Sequence, residues 1–308
     1  MIGYIAEQLF IGVATGAIYA IIAVGLNLIF GTMNVLNMAH GSAIMIGSFG
    51  VLLFNYVGDR YFGYTNFWLG CVAGLFIAFL TGLLVERLAV RPMKGNWWNT
   101  KIATIGMAFI LENLVTVLTE GRPQLYPRPF EPVYYVILGD IDNPGPWLVE
   151  ISNIHMLLIG ISILMVAGMV WFLYRTTIGK AVRVVSQSQE IARCVGIDVK
   201  KSIVIGFGVS ATLAGVAGIL NGVTFGSTYS FIGFLLILKG IVVVIVAGIG
   251  NMRGCMYVGV ILGVIESMSV AFGESTYRDF FSYGIMVLIL IWRPWGIFGE
   301  EGRVTREV

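Results

Sequence analysis

Nine long apolar stretches dominate the chain, near residues 9–30, 36–54, 67–85, 102–118, 155–174, 203–223, 233–250, 255–272 and 279–292. Most approach the ~20 residues that carry an α-helix across a bilayer core of about 30 Å. Lipid offers no partners to backbone N–H and C=O groups, so a spanning segment must close its own hydrogen bonds as a helix or belong to a closed barrel. A barrel needs short alternating strands separated by turns. These stretches are continuous and rich in Leu, Ile, Val, Ala and Gly. The expected fold is therefore all-α, a polytopic transmembrane helix bundle of about nine spans forming a single domain over residues 1–308.

Composition agrees: 57% of residues are hydrophobic and only 12% charged, where soluble domains carry about a quarter charged. The net charge of +2 gives no electrostatic footprint for nucleic acid, which is not expected as a partner. The three cysteines, Cys71, Cys194 and Cys255, have neither disulfide-framework nor zinc-ligand spacing. A signal peptide would open on basic residues. No Lys or Arg precedes Arg60, so the first span is expected to be retained.

Basic residues in short loops stay on the cytoplasmic side. Arg87, Arg91, Lys94 and Lys101 crowd one connection, and Arg175, Lys180, Arg183, Arg193, Lys200 and Lys201 another. Both are expected to be cytoplasmic. Residues 119–154, with five acids against Arg122 and Arg128, read as an external loop. Counting spans from these anchors puts the N-terminus outside and the C-terminus inside. The pairs Gly12/Gly16, Gly70/Gly74, Gly218/Gly222 and Gly259/Gly263 have the G-x-x-x-G spacing that lets helix backbones approach closely in lipid.

Polar residues inside apolar runs are costly unless they face protein or a wet cavity. Between Gly25 and Gly41 the chain places Asn27, Asn34, Asn37 and His40 among three glycines. Two readings are open: a helix break lining a path for a polar solute, or a tight turn in which Asn caps the next helix. His40 could be a hydrogen-bonded structural residue or a proton relay. Glu112 and Asn113 in the fourth span raise the same question, and so does Glu266 in the eighth, where an interhelical hydrogen bond is the expected role. The segment 175–202 is long enough for a short surface helix ending near Gly196, a C-cap residue, or for a solvated loop. No G-x-S-x-G nucleophile motif and no G-x-x-x-x-G-K-[ST] phosphate loop occurs. Neither an enzyme nor a cofactor bound by this chain is expected, and any ATP that drives it is hydrolysed by another chain.

Leu36-Asn37-Met38-Ala39-His40-Gly41, Glu86-Arg87 followed by Arg91-Pro92, Thr177 through Ile197, Gly248-Ile249-Gly250 and Arg293-Pro294-Trp295-Gly296-Ile297-Phe298-Gly299 run in order over nearly the whole chain. Together they resemble the signature segments of the branched-chain amino acid ABC transporter permease family, LivH type. The resemblance implies an importer of the prokaryotic cytoplasmic (inner) membrane. Two related permeases would form the pathway, two cytoplasmic ATPases would act on coupling helices, and a periplasmic or extracellular binding protein would deliver the solute. Ser186, Gln189, Glu190, Ala192, Arg193 and Gly196 would form the ATPase contact, with Ala192 on the side pressed against the partner. The chain departs from the family where an acidic pair often stands (Gln187-Ser188), where Pro often stands (Ser230) and where two glycines are common (Ala247-Gly248). Related permeases carry urea, short-chain amides or other amino acids. An ion-coupled secondary transporter is the other alternative, but it calls for charged relays within the spans.

Overall fold

The computed structural model describes residues 2–33, 37–93, 97–138, 149–273 and 277–299. Eleven helices carry the chain: α1 (Ile2–Met33), α2 (His40–Phe62), α3 (Phe67–Val85), α4 (Trp97–Leu118), α5 (Asn153–Arg175), α6 (Thr177–Gln187), α7 (Gln189–Cys194), α8 (Val199–Phe225), α9 (Ile232–Ala247), α10 (Met252–Phe272) and α11 (Arg278–Trp292). Seven of them, α1 to α5, α8 and α10, are long and apolar enough to cross a membrane. Helices α9 and α11, 16 and 15 residues long, lie on the last-but-two and last of the predicted stretches.

Local chemistry sets the boundaries. Asn66 caps α3, its Oδ1 accepting from the Trp68 and Leu69 amides at 2.9 and 3.1 Å. Asn251 does the same for α10, accepting from the Gly254 amide at 2.9 Å. Past Val85 the chain winds into one π-helical turn, Glu86–Val90, then a 3₁₀ turn, Arg91–Met93. The expected external loop is not structureless. Strand β1 (Gln124–Leu125) pairs antiparallel with β4 (Ser227–Thr228), and β2 (Tyr134–Leu138) with β3 (Val149–Ser152). The described residues are thus predominantly helical with four short strands.

The chain divides into two compact units, one of residues 1–23, 130–166 and 239–308 and the other of 24–129 and 167–238. In the second unit α2, α3 and α8 pack together, and glycine governs how closely. A Cβ at Gly50 would lie 2.6 Å from the Gly74 Cα, and one at Gly82 2.6 Å from the Phe207 carbonyl oxygen. In the first unit the Gly12/Gly16 ridge of α1 meets the Gly259/Gly263 ridge of α10. A Cβ at Gly16 would lie 2.7 Å from the Gly259 carbonyl oxygen, so two of the predicted pairs find each other. Apolar area gains little by leaving lipid, which makes such backbone contact the main source of helix association.

Two of the signature segments are stitched together in the first unit. The Ile297 amide donates to the Val246 carbonyl at 2.7 Å, and Asn251 Nδ2 donates to the Phe298 carbonyl at 3.0 Å. A Cβ at Gly248, whose φ is +91°, would lie 2.6 Å from the Gly299 amide. The Gly248-Ile249-Gly250 turn is therefore the seat on which Arg293–Gly299 folds back.

Candidate functional site

The second unit holds both groups of residues singled out in the sequence. The first surrounds His40. Asn27 does not lie in a helix break, because α1 runs on without interruption to Met33, and the Asn27 side chain is fully buried. Asn37 makes the turn into α2. Its Oδ1 accepts from the Ala39 amide at 3.1 Å, and its carbonyl accepts from the His40 amide at 3.2 Å. Asn37 therefore forms an Asx turn ahead of α2 and does not cap the helix, whose N-cap is Ala39; Asn34 lies outside the described residues.

His40, at the start of α2, is buried. The Ser210 hydroxyl of α8 donates to the Gly25 carbonyl at 2.6 Å and lies 3.2 Å from His40 Nδ1. With that hydroxyl proton committed, the Ser210 oxygen accepts from His40, which assigns the Nδ1–H tautomer. A Cβ at Gly25 would lie 3.0 Å from His40 Cε1, so glycine there makes room for the ring. Beside this group is a cavity of about 10 Å³ lined by Asn37, His40, Thr81, Phe207 and others. That is the scale of one water molecule, far short of an amino acid.

Glu112 is buried in α4. Asn113 is exposed, and its Nδ2 donates to the Phe109 carbonyl of its own helix at 2.8 Å. The structure therefore brings Asn37 and His40 together at the start of α2 and adds Ser210, while Asn27 is buried within α1 and Asn113 stands apart.

The second group is the segment between α5 and α8. It forms two helices, not one. Thr176 caps α6, accepting from the Gly179 amide at 2.9 Å, and Gly179 lets α6 press on the end of α5, where a Cβ would lie 2.6 Å from the Leu173 Cα. Arg183 lies over the Tyr174 ring at 4.2 Å, a second tie between these helices. At Ser188 the backbone extends (φ −161°, ψ 121°), which breaks the helix. The Ser188 hydroxyl then accepts from the Ile191 amide at 3.3 Å and caps α7.

Helix α7 ends as expected at Gly196, whose φ of +77° favours glycine. The Ile197 amide then donates back to the Ala192 carbonyl at 2.9 Å.

Ala192 overturns the expectation placed on it. It is fully buried, in a cluster with Val85, Ala89, Val185, Ile203 and Phe207 of the same unit. Ile191 on α7 and Val195 at its C-cap face outward instead, 62% and 64% exposed, with Glu190 and Arg193 also exposed. Sequence reasoning passed over Ile191 and Val195, although their i, i+4 spacing puts them on one helix face. Ser186 is half-buried, its hydroxyl donating to the Arg183 carbonyl at 2.7 Å, and Gln189 is half-buried at the start of α7.

Glu266, in the first unit, makes the expected interhelical hydrogen bonds: it accepts from Tyr19, Lys239, Arg278 and Ser282. Lys239, buried in the middle of α9, went unremarked in the sequence as a lone cation in an apolar run.

The family profile described as "Branched-chain amino acid transport system / permease component" matches residues 8–290. The chain is 30% identical over 306 residues to the high-affinity branched-chain amino acid transport system permease protein LivH of Salmonella typhimurium, covering 96% of each protein. It is 30% identical to the corresponding protein BraD of Pseudomonas aeruginosa, over 96% of this chain and 95% of that protein. To LivM of Escherichia coli, a permease protein of such a system, identity is 25%, over 91% of this chain and 67% of that protein. With a profile spanning nearly the whole chain and relatives matched end to end, this protein belongs to the permease-component family of branched-chain amino acid transport systems.

Proposed function

We propose that the chain is one of two related membrane-spanning permeases in an ATP-driven importer of branched-chain amino acids in a prokaryotic inner membrane. The observation that carries this reading is the α6–α7 segment. It is tied to α5 by Arg183 on Tyr174, anchored inward by Ala192, and presents Ile191 and Val195 outward between two long apolar helices. A chain without a phosphate-binding loop must receive ATP-driven motion through a surface contact, and a braced helix with an exposed apolar pair suits that task. In this reading one of two ATPases seats on Ile191, Val195, Glu190 and Arg193 of this chain, and the other on the second permease. Gln189 and Ser186 border the contact, and Gly196 turns the chain back to the membrane. A second permease completes the pathway, and a binding protein delivers the solute on the opposite side.

The same reading makes residues 1–308 one permease domain of nine spans, α9 and α11 included, with residues 119–154 external, 175–202 cytoplasmic, and the termini outside and inside. Cysteines placed singly at Gly95, Asp142 and Ser188 on a background lacking the native cysteines test it. An impermeant reagent applied to intact cells should label only the Asp142 site, and labelling at Gly95 or Ser188 would remove the topology. Asn27, Asn34, Asn37, His40 and Glu112 are proposed to border the pathway. Asn37→Leu is then expected to lower uptake more than assembly.

Substrate is tested by reconstituting the chain in vesicles with its second permease, ATPases and binding protein. ATP-dependent uptake of leucine, isoleucine and valine is expected. Uptake of urea or short-chain amides in their place would move the chain to that branch of the family, and uptake driven by an ion gradient without ATP would refute the importer reading.

A further inference from the structure

Of the four helices too short to span on their own, α9 and α11 bring cations to Glu266. Helices α9 and α11 have 16 and 15 residues, about 24 and 22 Å of helix, against a hydrocarbon core of about 30 Å. Lys239 sits at the middle of α9, and α11 opens on Arg278-Asp279. A lysine at the centre of a span opposes insertion, as do charges at the head of a short one.

Each of these charges has a partner. Glu266 is fully buried in α10. Its Oε1 accepts from Lys239 Nζ at 2.5 Å and from the Ser282 hydroxyl of α11. Its Oε2 accepts from the Tyr19 hydroxyl of α1 at 2.8 Å and from Arg278 Nε at 3.0 Å. Lys239 Nζ also donates to Asp279 Oδ1 at 2.6 Å and lies 4.9 Å from the Tyr283 ring.

Two cations face two anions, so the cluster is neutral. A carboxylate offers about four acceptor positions, and four donors from three helices occupy those of Glu266, which leaves it poorly suited to pass protons or hold a solute. Ser282 is the buried residue of α11 and donates to the same carboxylate, so the hub holds α11 at a second point beyond Arg278.

We infer that the Glu266 hub is an assembly lock: α9 and α11 enter and stay in the membrane as spans because Glu266 of α10 neutralises Lys239 and Arg278 and binds both helices to α1. The inference rests on the nine-span reading above, and the test separates the two.

The full-length chain is fused at its C-terminus, in parallel, to a fluorescent protein that reports the cytoplasm and to alkaline phosphatase, which reports the exterior. A wild-type protein with an external C-terminus would remove the nine-span reading, and the lock with it. With the wild type internal, Glu266→Leu is expected to reduce the detergent-stable protein about fivefold or more, because it leaves Lys239 and Arg278 with the single carboxylate of Asp279 and a net positive charge within the membrane. Adding Lys239→Leu, which restores neutrality by leaving Arg278 with Asp279, is expected to recover most of that protein and of uptake.

Three results would overturn the lock. Glu266→Leu could insert and survive detergent as the wild type does. The double variant could remain as impaired as the single. Or the double variant could assemble fully yet fail to transport, which would make the cluster a working part of translocation.

Discussion

Replacing Ile191 and Val195 by alanine is expected to detach the ATPase while leaving the permease folded. The two side chains are 62% and 64% exposed, so most of their apolar surface has yet to be removed from water. Full burial of such a side chain contributes about 1.5–3 kcal/mol. Scaled by the exposed fraction, the pair offers a partner roughly 2–4 kcal/mol, less what alanine retains. About 2 kcal/mol corresponds to an affinity change of roughly thirtyfold.

The folded permease has little to lose, since the same atoms make few contacts within the chain. Ala192→Leu is the complementary change. It forces three heavy atoms into the closed cluster with Val85, Ala89 and Phe207, an overpacking that costs about 1–3 kcal/mol of the permease's own stability.

The assay titrates purified ATPase subunit against detergent-solubilised permease, measuring the Kd by light interferometry and permease unfolding by intrinsic fluorescence on heating. Ile191→Ala/Val195→Ala should raise the Kd at least about tenfold at an unchanged unfolding temperature. Ala192→Leu should lower the unfolding temperature, and the fraction still folded should bind with nearly native affinity. An unchanged Kd for the double variant, with binding lost by folded Ala192→Leu, would refute the assignment of the outward face.

Other outcomes follow from single contacts. Gly263→Leu places a side chain where even a Cβ would lie 2.5 Å from the Gly12 carbonyl, and separating α1 from α10 should destabilise the protein by about 1–3 kcal/mol, read by thermal unfolding in detergent. Ser210→Ala leaves the Gly25 carbonyl and His40 Nδ1–H without their shared hydroxyl; a loss of about 1–3 kcal/mol is expected, and unaltered melting would show that the hydroxyl is dispensable. Asn37→Ala removes the acceptor for the Ala39 amide and should cost about 1 kcal/mol. Asn37→Asp, which keeps an acceptor, should restore the melting temperature, and failure to do so would mean that the turn does not depend on this bond.

Hydropathy is a property of consecutive residues, and it placed the long helices without reference to their neighbours. The same holds for Gly196, whose αL turn needs nothing beyond its own missing Cβ, and for Asn37, whose side chain bonds the amide two residues on. The G-x-x-x-G spacing announced that Gly16 and Gly259 each offer a bare ridge, because the helical period puts them one turn from Gly12 and Gly263. Which ridge meets which was left to the packing.

Ala192, Asn27 and Lys239 mark where local reading ended. Six residues of α7 are too few for a period to tell an inward alanine from an outward one, and the cluster around Val85 and Phe207 decided it. Three amides among three glycines read equally as a helix break or as a tight turn, until α1 ran through Asn27 to Met33. Lys239 and Glu266 each stood alone in an apolar run, 27 positions apart, and each alone is a costly charge in lipid. Only the tertiary structure makes them one neutral group, because the attraction that offsets their desolvation acts across helices over less than 3 Å, a distance that sequence separation does not encode.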